Sequence, residues 1–215
     1  MLRLLLADDH DIVRRGMKEL LEEQVGWSVC AEAADGRAAV ELAVAQRPHV
    51  AILDLSMPEL NGLEATRRIK EALPETEVLV FSMHESEDLI RDVLAAGARG
   101  YLLKSDASRQ LVTAVETLAR HQPFFSGPVS EVVLGGFLKP GPAPITAGLG
   151  NRLTSREREV VQLLAEGKSN KQIATLLQLS VKTVETHRTS AMRKLGLKSL
   201  PDLVRFAIRN QIVQA

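Results

Sequence analysis

Cysteine is almost missing from this chain: Cys30 is the only one in 215 residues. That excludes an internal disulfide and a cysteine-based zinc site, and Cys30, inside the apolar run Trp27 to Ala33, reads as a small core residue. The five histidines (His10, His49, His84, His121 and His187) are scattered, and no two have metal-ligand spacing on a helix. Long hydrophobic runs are missing as well; none approaches the ~20 residues of a membrane span. Met1 to Ala7 is short and runs at once into Asp8-Asp9, which does not suit a secretory signal. The expectation is a cytoplasmic protein with no membrane partner. A net charge is also lacking, but the zero is an average. Residues 1–120 hold 14 Lys and Arg against 21 Asp and Glu, and residues 121–215 hold 13 against 6. An acidic half joined to a basic half suggests two modules, the second with an anionic partner.

The first 120 residues alternate strand-like and helix-like runs. Arg3 to Ala7, Trp27 to Ala33, Val50 to Leu55, Glu77 to Phe81 and Gly100 to Leu103 are short and mainly apolar. Ile12 to Gln24, Gly36 to Gln46, Gly62 to Ala72, Ser86 to Ala96 and a segment from Ser108 to about Arg120 follow them with helical spacing. Five βα units predict a doubly wound five-stranded parallel sheet with helices on both faces. Asp8 and Asp9 then follow the first strand, Asp54 ends the third, Ser82 follows the fourth and Lys104 the fifth. An open α/β sheet binds ligands at this carboxyl edge. Three carboxylates meeting there repel one another unless a cation sits between them, and oxygen-only ligands suit Mg²⁺. Lys104 adds a fixed positive charge, and the Ser82 hydroxyl can bond a new anion. Such a constellation suits placing a phosphoryl group on a carboxylate. His10 is expected to cap or line the first helix.

Asp8-Asp9, Asp54, Met57-Pro58, Asn61-Gly62, Ser82, Tyr101 and Lys104, in this order, resemble the flavodoxin-like receiver domain of two-component response regulators over about residues 1–120. The resemblance implies that Asp54 takes a phosphoryl group from a histidine kinase. It implies that Asp9, Asp54 and the backbone carbonyl of Ser56 bind Mg²⁺, with Asp8 acting partly through water. Lys104 would pair with the phosphoryl oxygens, and Ser82 and Tyr101 look like the switch pair. Ser105 stands where many receivers have proline.

Residues 122–150 hold six of the glycines and five of the nine prolines. Pro140-Gly141-Pro142-Ala143-Pro144 cannot be a helix or a central strand, and Val129 to Phe137 has room for a helical turn. The domain reading is therefore a receiver at 1–121, a linker at 122–148 and a small all-α four-helix domain at 149–215. In the last part Thr154 and Glu157 form a capping box, and Gly167 ends the first helix. Asn170 is expected to cap a second helix, to Leu177. After the turn Leu179-Ser180, Ser180 caps a third from Val181 to Leu195, and Pro201 opens a fourth to about Asn210. Two helices joined by a tight turn, the second studded with polar and basic residues, are a helix-turn-helix signature.

On the third helix Val184, Ala191 and Leu195 fall on an inward stripe, while Lys182, Glu185, Thr186, Thr189 and Arg193 fall on the opposite one. Lys182, Arg188, Arg193 and Lys194 suit phosphates, whereas Glu185, Thr186 and Thr189 are placed to read base edges, with Thr183 beside them. Leu153-Thr154-x-Arg156-Glu157-x-Glu159-Val160, Gly167-x-x-Asn170-Lys171-x-Ile173-Ala174 and Leu179-Ser180-x-x-Thr183-Val184-x-x-His187 resemble the LuxR-type helix-turn-helix. Receiver and LuxR-type domain in this order resemble the NarL/FixJ class of response regulator. The resemblance implies a phosphorylation-controlled transcription regulator of double-stranded DNA, dimeric when active, that works with RNA polymerase. One alternative is a receiver that is never phosphorylated and serves as a dimerisation module. Another is an aspartyl-phosphate phosphatase of the haloacid dehalogenase type; that needs a second Asp two residues after the nucleophile, where this chain has Ser56.

Overall fold

The apolar strand runs form the sheet they predict, with one strand more. The computed structural model describes residues 1–127, 129, 130, 133, 153–210, 212 and 213. The chain falls into two compact units, one built on the sheet and one on the C-terminal helices. No described helix is long and apolar enough to cross a membrane.

In the first unit β1 (Leu2–Ala7), α1 (Asp11–Glu22), β2 (Trp27–Ala33), α2 (Gly36–Gln46), β3 (Val50–Asp54), α3 (Gly62–Ala72), β4 (Glu77–Ser82), α4 (Glu87–Ala95), β5 (Gly100–Leu103) and α5 (Ala107–Ala119) follow in order, with a single 3₁₀ turn at Lys104–Asp106. A sixth strand, β6 (Phe124–Phe125), pairs parallel with β5, so the strand order is β2-β1-β3-β4-β5-β6. The five-stranded expectation is corrected here, and the physical reason is local. Two phenylalanines between Pro123 and Ser126 find an open ladder on the outer edge of β5, and the N–H of Phe124 reaches the carbonyl of Arg99 at 3.0 Å. The signal was hidden because two residues are too few to show a period. The helical turn expected over Val129 to Phe137 and the Pro140 to Pro144 stretch lie, apart from Val129, Ser130 and Val133, outside the described residues.

Every residue of β3 and β4 is buried, as strands covered on both faces must be. Leu4, Leu6, Ile52, Leu79, Phe81 and Leu102 pack with Met17 and Leu21 of α1 and with Leu111, Val115 and Leu118 of α5. Helices α2 and α3 cover the other face. Register then decides what meets at the carboxyl edge. Ala7 pairs with Leu53, so Asp8 and Asp54 are level; Asp54 pairs with Phe81, and Ser82 with Leu103. The chain reverses direction of travel across the sheet at β1 and β3, where such folds leave a crevice.

The second unit is α6 (Ser155–Ala165), α7 (Asn170–Leu177), α8 (Val181–Leu195) and α9 (Leu200–Arg209). Val160, Leu163, Ile173, Leu177, Val184, Ala191, Leu203 and Ala207 form its core. The Thr154–Glu157 capping box is present. The cap of α7 is Ser169 rather than Asn170: its hydroxyl accepts from Gln172 N–H, and Gln172 answers with a second capping box. Gln in the third position completes such a box as well as Glu does, and that places the cap one residue earlier. Ser180 caps α8, with Gly196 ending it at φ 68°, and Ser199 caps α9 ahead of Pro201.

Candidate functional site

At the carboxyl edge of the sheet, four groups come together as the register demands. Asp8 is wholly buried, Asp54 is 2 % exposed and Ser82 is 1 % exposed. The Lys104 ammonium lies 2.8 Å from Asp8 Oδ2 and 3.1 Å from Asp54 Oδ1. Its ammonium also stands 5.4 Å from the centre of the Phe81 ring. Asp54 Oδ2 is buried with no hydrogen-bond partner. Burial pushes the Asp54 carboxyl above the ordinary carboxylate range; Lys104 pulls it down, and the charges of Asp8 and Asp9 push it up again. Burial would lower the Lys104 ammonium, but its bond to Asp8 and the charges of Asp54 and Asp8 outweigh that and raise it.

Asp9 sits on the rim. His10 occupies the N-cap position of α1 but its side chain makes no capping bond. Its Nδ1 instead lies 2.8 Å from Asp9 Oδ1 and 3.2 Å from Asp8 Oδ1, which corrects the expectation that it serves the helix. Carboxylates this close capture the imidazole more strongly than a backbone N–H would. Ligand atoms of Asp8, Asp9, His10 and Asp54 all lie within 4.8 Å of one another. Ser56, two residues beyond Asp54, is half-buried. The carboxylate oxygens, one of them buried and unpartnered, fit a hard divalent cation.

Why β3 can end in this crevice is visible at Gly62, the first residue of α3. A Cβ there would stand 2.1 Å from the Asp54 carbonyl oxygen, so only glycine lets the helix start against the strand. Asn61 caps that helix by accepting from Glu64 N–H at 3.0 Å. Behind the pocket Ser82 Oγ accepts from His84 N–H at 3.1 Å, and the Tyr101 hydroxyl donates to the His84 carbonyl at 2.7 Å. Tyr101 is fully buried, and burial raises its phenol above the ordinary value. The two residues expected to form a switch are thus joined through one loop residue, His84, which the spacing of the sequence did not single out.

These features meet known proteins over most of the chain. The family model described as response regulator receiver domain matches residues 4–116. That described as bacterial regulatory proteins, luxR family, matches residues 151–207. The chain belongs to the two-component response regulators. It is 37% identical over 217 residues to the oxygen regulatory protein NreC of Staphylococcus epidermidis, covering 99% of this chain and 100% of that one. Among solved structures it is similar to RcsB from Salmonella enterica serovar Typhimurium bound to promoter rprA with the phosphomimetic BeF3⁻. That likeness is 29% identical at a TM-score of 0.61, over 95% of this chain and 97% of the other. A structure of two RcsB dimers bound to two parallel DNAs is 30% identical at a TM-score of 0.58, over 95% and 96%. A response regulator of this family is a transcription factor rather than a conventional enzyme.

In this response regulator the third helix of the C-terminal unit, α8, has the faces its sequence implies. Val184 and Ala191 are fully buried, while Lys182, Glu185, Thr186, Thr189 and Arg193 are exposed and Thr183 and Arg188 half-exposed. Glu185, Thr189 and Arg193, four residues apart, form a ridge with a shallow depression on either side. Arg188 and Met192 border one, Lys182 and Thr186 the other. The Thr186 hydroxyl donates to the Lys182 carbonyl at 2.9 Å. Lys194, also of the expected set, has a partner within the unit. Its ammonium bonds Glu157 at 2.6 Å, so this cation faces the unit's own framework. Glu157 also accepts from Ser190 Oγ at 2.7 Å and from Thr154 N–H at 2.7 Å. Its environment was missed in the sequence because capping explains Glu157 completely; the remaining hint is that Ser190 and Lys194 share a helix face.

Proposed function

We propose that phosphorylation of Asp54 by a histidine kinase controls sequence-specific binding of double-stranded DNA and hence transcription. The observation that carries this reading is the Asp54 carboxylate, buried beside Lys104 with one oxygen left without a partner. In the transfer a phosphorus–nitrogen bond to the kinase histidine breaks, and a bond from an Asp54 oxygen to the same phosphorus forms. The ionised Asp54 is the nucleophile, and Lys104 holds it ionised against the cost of burial. Lys104 then transfers its contact to the phosphoryl oxygens. Asp8, Asp9, Asp54 and the Ser56 carbonyl would hold Mg²⁺, which when bound offsets charge on the transferring oxygens.

The added charge draws the Ser82 hydroxyl toward the phosphoryl group. His84 and Tyr101 follow, since both are bonded in series to Ser82. Moving a regulator from mostly off to mostly on takes up to ~5 kcal/mol of preference for the active state, and dimerisation supplies part of it. Lys182, Arg188 and Arg193 neutralise phosphates, while Thr183, Glu185, Thr186 and Thr189 face base edges. The domains divide at 1–121, 122–148 and 149–215, and the active species is a homodimer that works with RNA polymerase in the cytoplasm. The promoter-bound and dimeric RcsB relatives support the DNA and dimer parts of this reading.

The test is intact mass after incubation with Mg²⁺ and acetyl phosphate, with Asp54→Asn beside the parent, followed by DNA binding of each sample. One phosphoryl on the parent alone, with tighter DNA binding, is expected. Uptake by Asp54→Asn would move the acceptor elsewhere. No uptake by either would leave a DNA-binding unit joined to a dimerisation module.

A further inference from the structure

We infer that Ser126, which lies beyond the receiver match and inside the segment expected to be linker, is a positioning residue for the phosphorylation site. The inference rests on the reading of Asp54 and Lys104 given above. Ser126 is fully buried. Its N–H donates to the carbonyl of Tyr101 at 3.0 Å, and its Oγ accepts from the N–H of Leu103 at 3.4 Å. One residue therefore holds the strand at the buried switch tyrosine and again at the residue immediately before Lys104.

The physical logic follows from how the β5–β6 ladder ends. Pairing runs through Gly100 with Phe124 and Tyr101 with Phe125, and stops there. In a continued parallel ladder the next outward N–H, that of Leu103, would take a backbone carbonyl of β6. The Ser126 carbonyl is already used, accepting from Ser130 N–H at 3.1 Å as the chain turns away. The Ser126 hydroxyl takes the carbonyl's place. Leu103 is 3% exposed, so without that oxygen its N–H is a buried donor with no acceptor. The end of β5 then loosens where the backbone hands over to Lys104. A lysine held less firmly must be ordered when it meets the phosphoryl oxygens, and affinity falls accordingly.

The coupling is reciprocal. The segment that leaves the sheet toward the rest of the chain is fastened to the strand that carries Tyr101 and Lys104. A shift of that strand on phosphorylation therefore reaches Ser126 without passing through any other element.

The experiment uses the full chain with three substitutions. Ser126→Thr keeps the acceptor, Ser126→Val has the shape of threonine without it, and Ser126→Ala removes it with the least bulk. Two quantities are read: affinity for beryllofluoride in Mg²⁺, and hydrogen exchange of the Leu103 and Lys104 amides without ligand. Ser126→Val and Ser126→Ala should bind beryllofluoride roughly tenfold more weakly and exchange those amides roughly tenfold faster. Ser126→Thr should match the parent in both, and β1 and β3 amides should be unchanged in all three. Parent-like affinity in Ser126→Val and Ser126→Ala, or an equal loss in Ser126→Thr, overturns the inference. If the parent itself takes up no beryllofluoride, the Asp54 reading fails; unchanged exchange at Leu103 and Lys104 would then sink the role of Ser126 as well.

Discussion

Two buried carboxylates, one in each unit, are treated in opposite ways. Glu157 has a complete set of donors: Ser190 Oγ on one oxygen, and Thr154 N–H with Lys194 Nζ on the other. Burial alone would raise it, but those bonds overcome burial and hold it down to about 2. Asp54 has Lys104 on one oxygen and nothing on the other, and burial prevails. The difference separates a carboxylate fully satisfied inside its fold from one with an oxygen to spare, as the proposed phosphorylation requires. A fully bonded carboxylate gains nothing from a further cation or a covalent change. One with an oxygen left over is relieved by either.

The largest effect is expected from disturbing the packing that keeps Asp54 in its crevice. Gly62→Ala places a methyl group 2.1 Å from the Asp54 carbonyl oxygen, against backbone that cannot move aside cheaply. A loss of about 3 kcal/mol or more is expected, read by denaturant unfolding through Trp27, the chain's single tryptophan. Phosphoryl uptake should fall with it. A parent-like unfolding midpoint would show that α3 can start elsewhere.

Glu157 comes next. Its folded value near 2 lies below the usual 4.5, so the stabilisation it gives is complete above pH ~4.5 and is lost as the pH falls toward 2. The full shift corresponds to about 3 kcal/mol. Glu157→Gln should remove most of that at neutral pH and flatten the dependence between those limits, measured as amide exchange in α6 and α8. A variant with the parent's acid sensitivity would shift the effect to another group. Asp54→Asn should act in the other direction. An acid raised by the fold loses stability as pH climbs from its unfolded value through its folded one. Neutralising Asp54 at pH 7 should therefore leave the first unit as stable, or more so by on the order of 1 kcal/mol. A clear fall in the Trp27 midpoint would mean that the pairing with Lys104 outweighs burial.

Most of this was legible from residues at strand ends. The runs into Asp8, Asp54, Ser82 and Lys104 announce the parallel sheet, and alternation of the chain with helices puts their ends on one edge. What the sequence withheld was set by pairing across distance. β6 has two residues, too short for a period, and its existence depends on an open edge of β5. The roles of His84 and Ser126 are backbone or hydroxyl contacts of residues whose identity carries no pattern. The position of His10 points to the helix that begins beside it, whereas two carboxylates compete for its ring. Lys194 looked like one more cation on a basic helix; its partner Glu157 is 37 positions away and already explained by its own cap.

That last pair supplies the finest test. Lys182 is exposed at the start of α8, and Lys194 near its end is bound to Glu157. If a lysine matters to DNA through a phosphate, its removal weakens binding to every sequence and lowers the slope of log affinity against log salt by about 1. Lys182→Ala should do this. Lys194→Ala should leave the slope as it is, because the charge it removes already belongs to a carboxylate of the protein, and should instead show faster exchange in α6. On the proposed division of labour, in which Thr186 reads a base edge and not a phosphate, Thr186→Ala should alter preference among sites and leave the slope alone. Equal slopes lost by both lysines would show that Lys194 leaves Glu157 when DNA arrives, and the internal pair would then be part of binding rather than of the framework.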